Sequence, residues 1–410
     1  MNKSTYIAKT FQGLEGVLSA ELQKIGATDI KPGRRAVEFS GDKAMLYKAN
    51  LCLRTALRIL KPIATFRATD PDQIYAKVKQ MAWDKYLTPK SSFQIESTVY
   101  SDVFKHSRFV VYRVKDAIVD YFSEKTGTRP SISLTNPDLY LNLHIANDVC
   151  TLSLDSTGEP LFKRGWREVQ SEASINEVLA AGMLLLAGWD GQCDFMDPMC
   201  GSGTIAIEAA LIASGIAPGI FRSGFAFEKW ADFDADLFEQ LYNDDSGERE
   251  FKYKIFASDI NRGAVEYTNR NVKRAGLSKY IEVSQADFTK SEGYAEKLLI
   301  VSNPPYGQRI GDHVEDLYAQ IGTTLKHKFP KTDAWLISSN IPALQRIGLR
   351  PSDKIALFNS NLDCELRHYQ MFAGKMNDYK RELGEREKSK PKYSPKPHSK
   401  SDSKRRYFKK

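Results

Sequence analysis

The run Leu298-Leu299-Ile300-Val301-Ser302-Asn303-Pro304-Pro305-Tyr306-Gly307 places an amide and an aromatic ring on either side of two prolines. Consecutive prolines stop hydrogen bonding at the end of a strand and stiffen the loop behind it, so the Asn303 carboxamide sits on a rigid ledge. Its Oδ1 and the Pro304 carbonyl are two fixed acceptors. Such a pair can hold the two N–H groups of an exocyclic amine on a planar ring and aim the nitrogen outward. Tyr306 can stack on that ring. The chemistry these residues suit is methylation of a delocalised amine, with neither a metal nor a cysteine nucleophile required.

A methyl donor needs a seat beside the ledge. Asp197-Pro198-Met199-Cys200-Gly201-Ser202-Gly203-Thr204 puts an acid and a Gly-x-Gly turn between a short apolar strand and the helix predicted over Ile205–Ala213. The glycines permit a tight turn and let a ligand lie against bare backbone. Asp197 would repel a pyrophosphate, and Ala206 stands where a dinucleotide site has its third glycine. The turn suits a ligand with an ammonium group and no phosphate, such as S-adenosylmethionine. Two more acids follow at strand ends. Asp259 closes Lys254–Asp259, where a ribose diol is gripped, and Asp287 precedes Phe288, a pair suited to the amine and ring of adenine. Gly203 and Asp259 lie 56 residues apart, where a dinucleotide fold has its acid about 20 on. An insertion is therefore expected over 215–250, with a helix over Trp230–Leu241.

Lys163, Arg164 and Arg167 surround Gly165 and Trp166 and read either as a clamp on RNA phosphates or as a solvated linker. Arg309 follows Tyr306 closely enough to touch a substrate backbone. His106, His144 and His313 lack i, i+4 partners, so no metal is expected. Cys52, Cys150, Cys193, Cys200 and Cys364 form no C-x-x-C pair and fit a reducing compartment. No apolar run of about 18 residues occurs, and a soluble cytoplasmic protein is expected.

The formal charge of +8 is uneven. Residues 386–410 hold eleven Lys or Arg against Glu387 and Asp402, a net of +9, so residues 1–385 carry −1. Such a tail, broken by prolines and serines, buries too little apolar area to fold alone. It reads as a phosphate-seeking arm or a solubilising terminus.

The elements that must position these groups fall into two halves. Up to about residue 160, strands are predicted over Thr5–Ala8, Ala36–Phe39, Ala64–Ala68, Ser92–Val99, Leu139–Ile145 and Val149–Leu154. Asn147-Asp148 makes a hairpin turn, and helices are predicted over Gly13–Ile25, Pro71–Met81 and Arg108–Phe122. This is an α+β region. Ser174-Ile175-Asn176-Glu177 has capping-box spacing and opens an apolar helix. From there to about 375 strands and helices alternate, which implies a parallel sheet covered on both faces.

Asp197 to Glu208 (D-P-M-C-G-S-G-T-I-A-I-E) together with Ser302 to Gly307 resembles the THUMP-containing class I RNA methyltransferases, specifically the bacterial RlmL-like enzymes that make N2-methylguanine in 23S rRNA. The likeness covers residues 1 to about 380. It implies a ferredoxin-like subdomain (1–45), a THUMP RNA-binding domain (46–158), a basic linker (159–172), a Rossmann-like methyltransferase domain with a seven-stranded, mostly parallel sheet (173–380) and a disordered basic tail (384–410). By this likeness Asp197, Gly201, Gly203, Asp259 and Asp287 bind S-adenosylmethionine, with Cys200, Ser202, Thr204, Ile260 and Phe288 beside them. Asn303, Pro304, Pro305 and Tyr306 present the base, and Lys163, Arg164, Arg167 and Arg309 meet 23S rRNA or its precursor. The strands Lys354–Asn359 and Cys364–Gly374 are similar to the antiparallel hairpin that closes a methyltransferase sheet. The second methyltransferase module of some relatives is not in this sequence, so a single modification is expected. The residues themselves leave open a guanine or adenine amine in tRNA or other RNA, a protein glutamine, or a non-enzymatic assembly factor.

Overall fold

The computed structural model describes residues 3–104, 107–169, 174–294, 296–305, 313–359 and 362–372. The basic tail lies outside them. The first half comprises β1 (Ser4–Lys9), α1 (Glu15–Lys24), β2 (Thr28–Pro32), β3 (Ala36–Gly41), α2 (Lys43–Cys52), β4 (Arg58–Arg67), α3 (Pro71–Lys79), β5 (Ser92–Tyr100), α4 (Ser107–Thr126), β6 (Ser131–Ile132), β7 (Leu139–Ala146) and β8 (Val149–Asp155). All eight strands form one sheet in the order β2-β3-β1-β4-β8-β7-β5-β6, so the segments 1–45 and 46–158 share a continuous hydrogen-bonded layer. Strand β3 alternates buried and half-buried positions, and the sheet packs on one apolar core. At the β7–β8 turn Asn147 adopts φ 55°, a left-handed conformation that Asn tolerates.

Several features of this half differ from the sequence-based expectation. Strand β4 begins at Arg58 rather than Ala64, because Pro62 falls where the register to β8 shifts and no ladder N–H is needed. Helix α2 was not anticipated; Asp42 caps it by accepting from the Met45 N–H at 2.9 Å. The short strand β2 at the sheet edge was likewise missed.

The second half comprises α5 (Glu177–Leu186), β9 (Asp194–Asp197), α6 (Thr204–Ala213), α7 (Ala235–Tyr242), β10 (Ile255–Asp259), α8 (Arg262–Arg274), β11 (Ile281–Gln285), β12 (Leu298–Ser302), α9 (Val314–Lys328), β13 (Thr332–Ser338), α10 (Ile341–Arg346), β14 (Asp353–Asn359) and β15 (Leu362–Gln370). The sheet order is β11-β10-β9-β12-β13-β15-β14, parallel except for β15, which runs antiparallel to both neighbours. Separate apolar cores cover its two faces, one with α5, α6 and α8 and the other with α9 and α10. Every residue of β12 is buried, as a central parallel strand requires.

Ser174 and Glu177 do not form a capping box. Asn176 caps α5 instead, because its side-chain oxygen reaches the Val178 N–H at 2.9 Å. Ser174 is bonded to Ser202 and Glu177 is turned toward Arg167.

The insertion forms two 3-10 turns, Pro218–Phe221 and Ala226–Lys229, and then α7. That helix starts at Ala235 rather than Trp230, because Asp234 caps it through the Leu237 N–H. Phe225, Phe227 and Trp230 belong to the core of the first half, and Phe233, Leu237 and Phe238 pack against it. Tyr47 of α2 stacks on Phe227 at 4.5 Å between ring centroids. Arg54 ties the halves further, donating to the carbonyls of Leu211 (3.1 Å) and Ile216 (2.7 Å).

Candidate active site

Strands β9 and β12 are parallel neighbours, with Leu298, Leu299 and Ile300 opposite Asp194, Phe195 and Met196. Their carboxyl ends therefore bring Asp197 and Asn303 to one edge. From β9 the chain fills one side of the sheet with β10 and β11, then crosses to β12 on the other, and such a switch point is where open α/β sheets hold ligands.

Ser302 joins the two motifs directly. It is fully buried, and its hydroxyl donates to Asp197 Oδ1 at 2.7 Å. The next residue presents the ledge: Asn303 Oδ1 is buried and has no hydrogen-bond partner among the described residues. Leaving such an acceptor unmet costs about 1–3 kcal/mol, so the atom is poised for an N–H from outside. Pro304 is buried and Pro305 half-buried beside it. Tyr306 and Arg309 lie outside the described residues.

Gly201 (φ 57°) and Gly203 (φ 81°) are both left-handed, which only glycine adopts freely. A Cβ on Gly203 would lie 2.8 Å from Thr268 Cγ2, whereas one on Gly201 would meet nothing within 4 Å. One glycine thus packs against α8 while the other offers open backbone.

Asp197 is buried, and its donors are Ser302 and the Met199 N–H at 3.4 Å; no cation pairs with it among the described residues. Burial pushes its carboxyl up to about 7, against the downward pull of the Ser302 hydroxyl. A buried acid with no cation beside open glycine backbone fits an incoming ammonium group. Below its pKa Asp197 is neutral and a proton must leave before the cation binds. Affinity for the cofactor product SAH is therefore expected to fall about tenfold per unit as pH drops below about 7. Asp197→Asn should flatten that profile in calorimetry, and an equally steep profile in the variant would rule Asp197 out as its source.

Asp259 accepts from the Gly201 N–H at 3.0 Å and the Asn261 N–H at 2.9 Å, so it fixes the glycine turn. Ile260 next to it is 66% exposed, an apolar surface beside the turn. Asp287 accepts from the Thr289 hydroxyl and N–H, which hold its carboxyl below the usual range.

Several of the side chains expected at the ligand are turned to partners within the protein. Phe288 is a core residue, its ring packed on Phe329 at 5.3 Å, so it offers no face to adenine. Cys200 is buried with its thiol toward Thr268, and burial raises its pKa far out of the reactive range. Arg164 is 1% exposed, because Glu208 (3.1 Å) and the carbonyls of Leu161 and Arg54 draw its guanidinium into the junction between the halves. No phosphate reaches it. Arg167 points to the glycine turn, bonded to Ser202 and Thr204. Lys163 is exposed and paired with Glu159.

Sequence reasoning missed four residues that hold the site. Ser302 announced itself only as a polar residue ending an apolar run. Thr268 donates to the Gly201 carbonyl at 3.0 Å and Asn271 to the Ser202 carbonyl at 3.0 Å, both from the buried face of α8. In a helix as polar as α8 they look like surface residues. Glu177 was assigned to a cap.

A cleft of about 1200 Å³ opens between the first half, the linker and the insertion. Asn136, Tyr140, Lys163, Arg167, Arg222 and Lys229 are among its walls. Among the described residues no group of His, Cys, Asp and Glu could hold a metal ion, and no helix is long and apolar enough to cross a membrane.

A seven-stranded sheet closed by an antiparallel hairpin, with a glycine turn after β9, an acid ending β10 and Asn-Pro-Pro after β12, defines a Rossmann-like methyltransferase. Comparison with known proteins agrees. Residues 164–368 match the family described as RMKL-like methyltransferase domain, residues 68–155 match the THUMP domain, and residues 5–60 match the RlmL ferredoxin-like domain. The chain belongs to the RMKL-like methyltransferase family. The Synechocystis sp. protein slr0064, whose name places it provisionally among RNA methyltransferases, is 38% identical over 90% of this chain and 97% of its own. The ribosomal RNA large subunit methyltransferase K/L of Syntrophotalea carbinolica is 35% identical over 89% of this chain, which spans 53% of that relative's length. The crystal structure of SMU.472, assigned as a methyltransferase and complexed with SAH, superposes with a TM-score of 0.82 at 27% identity, covering 92% of this chain and all of that one.

Proposed function

We propose that this protein transfers a methyl group from S-adenosylmethionine to the exocyclic N2 amine of a guanine in 23S rRNA or its precursor. The buried Oδ1 of Asn303, without a partner among the described residues and one residue from the Ser302–Asp197 bond, carries the reading. When bound against Gly201, the cofactor supplies an electrophilic methyl on a sulfonium. Asp197 would take its ammonium group, Asp259 its ribose, and Asp287 and Ile260 the adenine side. Asn303 Oδ1 and the Pro304 carbonyl accept from the amine and hold its nitrogen toward that methyl. The nitrogen gains the methyl and releases one proton to solvent. Tyr306 supplies the stacking ring in this reading, with Pro305 stiffening the ledge.

A guanine N2 in a duplex is hidden at the minor-groove edge, so the target is unpaired or flipped into the site. The THUMP match and the K/L relatives support a large-subunit rRNA substrate. The cleft between the first half and the linker offers RNA a surface, with Lys163 on its wall and Arg309 as a second backbone contact. An rRNA substrate implies a cytoplasmic protein.

Nucleoside mass spectrometry on rRNA from cells with and without the gene tests this. One N2-methylguanine is expected to vanish from 23S rRNA and to return on complementation. Loss of N6-methyladenine instead, or loss from tRNA, would overturn the assignment of base or of substrate.

A further inference from the structure

Arg167 stands in the linker yet spends its guanidinium on the cofactor turn. Nε donates to Glu177 Oε1 at 2.8 Å, Nη1 to Ser202 Oγ at 2.9 Å and Nη2 to Thr204 Oγ1 at 2.8 Å. Nη2 also lies 2.7 Å from Glu177 Oε1. The guanidinium is centred 4.9 Å from the Trp166 ring centroid, and the side chain is 14% exposed. Trp166, Glu177, Ser202 and Thr204 are themselves all buried.

The turn needs such a support. Its two left-handed glycines flank Ser202 and would be conformationally free in isolation. Thr268 and Asn271 hold the carbonyls of Gly201 and Ser202 from the α8 side. Arg167 holds the hydroxyls of Ser202 and Thr204 from the linker side. Together they fix the backbone on both flanks and leave the open side of Gly201 free. A planar fork can bind both hydroxyls and a carboxylate at once, which a lysine ammonium on its flexible stem cannot.

We propose that Arg167 is a positioning residue that locks the glycine turn in its cofactor-ready shape, through Ser202 and Thr204, and is not a contact for RNA. This rests on the reading of that turn as the S-adenosylmethionine seat. Pre-organisation of this kind acts on cofactor binding, so its loss shows in the KM for S-adenosylmethionine rather than in kcat at saturation.

The test is Arg167→Lys in the full chain, with SAH affinity by calorimetry, RNA affinity by filter binding at several salt concentrations, and steady-state kinetics. SAH Kd and the KM for S-adenosylmethionine are expected to rise about tenfold or more, with kcat at saturating cofactor within about threefold. RNA affinity should change by less than about twofold, with the same salt slope. Unchanged SAH affinity, together with weaker RNA binding and a salt slope reduced by about one, would make Arg167 a phosphate contact and overturn the proposal. A purely structural role would lower the active fraction and leave the cofactor KM untouched, which also overturns it. Should Arg167→Lys fail to fold, Ser202→Ala decides, since it removes one anchored hydroxyl and keeps the Arg167–Glu177 pair. A rise in SAH Kd of about threefold supports the proposal, and no change overturns it. Wild-type protein that bound no SAH would instead overturn the cofactor reading underneath.

Discussion

Asn303→Ala is expected to lower kcat by about a thousandfold while leaving SAH affinity within about twofold of the wild type. The substitution removes a buried acceptor that has no partner among the described residues and leaves the Ser302–Asp197 bond in place. The amine then has no fixed partner beside Pro304, and its nitrogen is no longer held in line with the methyl. The same variant should be as stable as the wild type or more so, because an unmet buried carbonyl costs about 1–3 kcal/mol that the alanine does not. Activity and stability moving in opposite directions is the signature of a group kept for chemistry. Single-turnover kinetics, calorimetry and a denaturation curve on one preparation check all three. Retained activity would sink the ledge as the device that presents the base. A parallel fall in SAH affinity would move the effect to the glycine turn.

The second large effect concerns folding. Glu208→Leu should destabilise the protein by about 3–5 kcal/mol in urea titration, because it leaves the Arg164 guanidinium buried with no counter-charge. At 1% and 0% exposure the two side chains have no water to fall back on. Arg164→Met combined with Glu208→Leu should recover part of the loss, since apolar groups of similar volume replace a buried pair at little cost. Recovery stays incomplete because the carbonyls of Leu161 and Arg54 lose their donor. RNA affinity should be unchanged in any variant that folds. A single variant with full stability and weakened RNA binding would return Arg164 to the phosphate-binding role that its neighbourhood in the chain suggested.

That neighbourhood shows where sequence reading ends. Asn303, Gly201 and Asp259 were legible because their chemistry is local: a proline pair, a glycine turn and an acid at the end of an apolar run each carry their geometry within a few residues. Arg164 and Arg167 were not. A basic cluster in a linker looks solvated, and what buries it is Glu208, Glu177 and Ser202, none of which is near enough in sequence to reveal the contact. Phe288 failed for a related reason, since an aromatic after a strand-end acid has the same local pattern whether it meets a ligand or Phe329. In the fold, Pro62 masked the first part of β4, and α2 gave too little periodicity to stand out from its surroundings.

Residues 225–238 follow the glycine turn in the chain, yet their aromatic rings complete the core of the first half. A recombination event that exchanged everything upstream of the linker would strip Phe227 of Tyr47 and leave a sticky aromatic wall in water. The THUMP-containing and methyltransferase portions are therefore heritable only as a pair. A fragment cut at the linker for separate expression should precipitate unless the loop from beyond the cut is grafted back onto it.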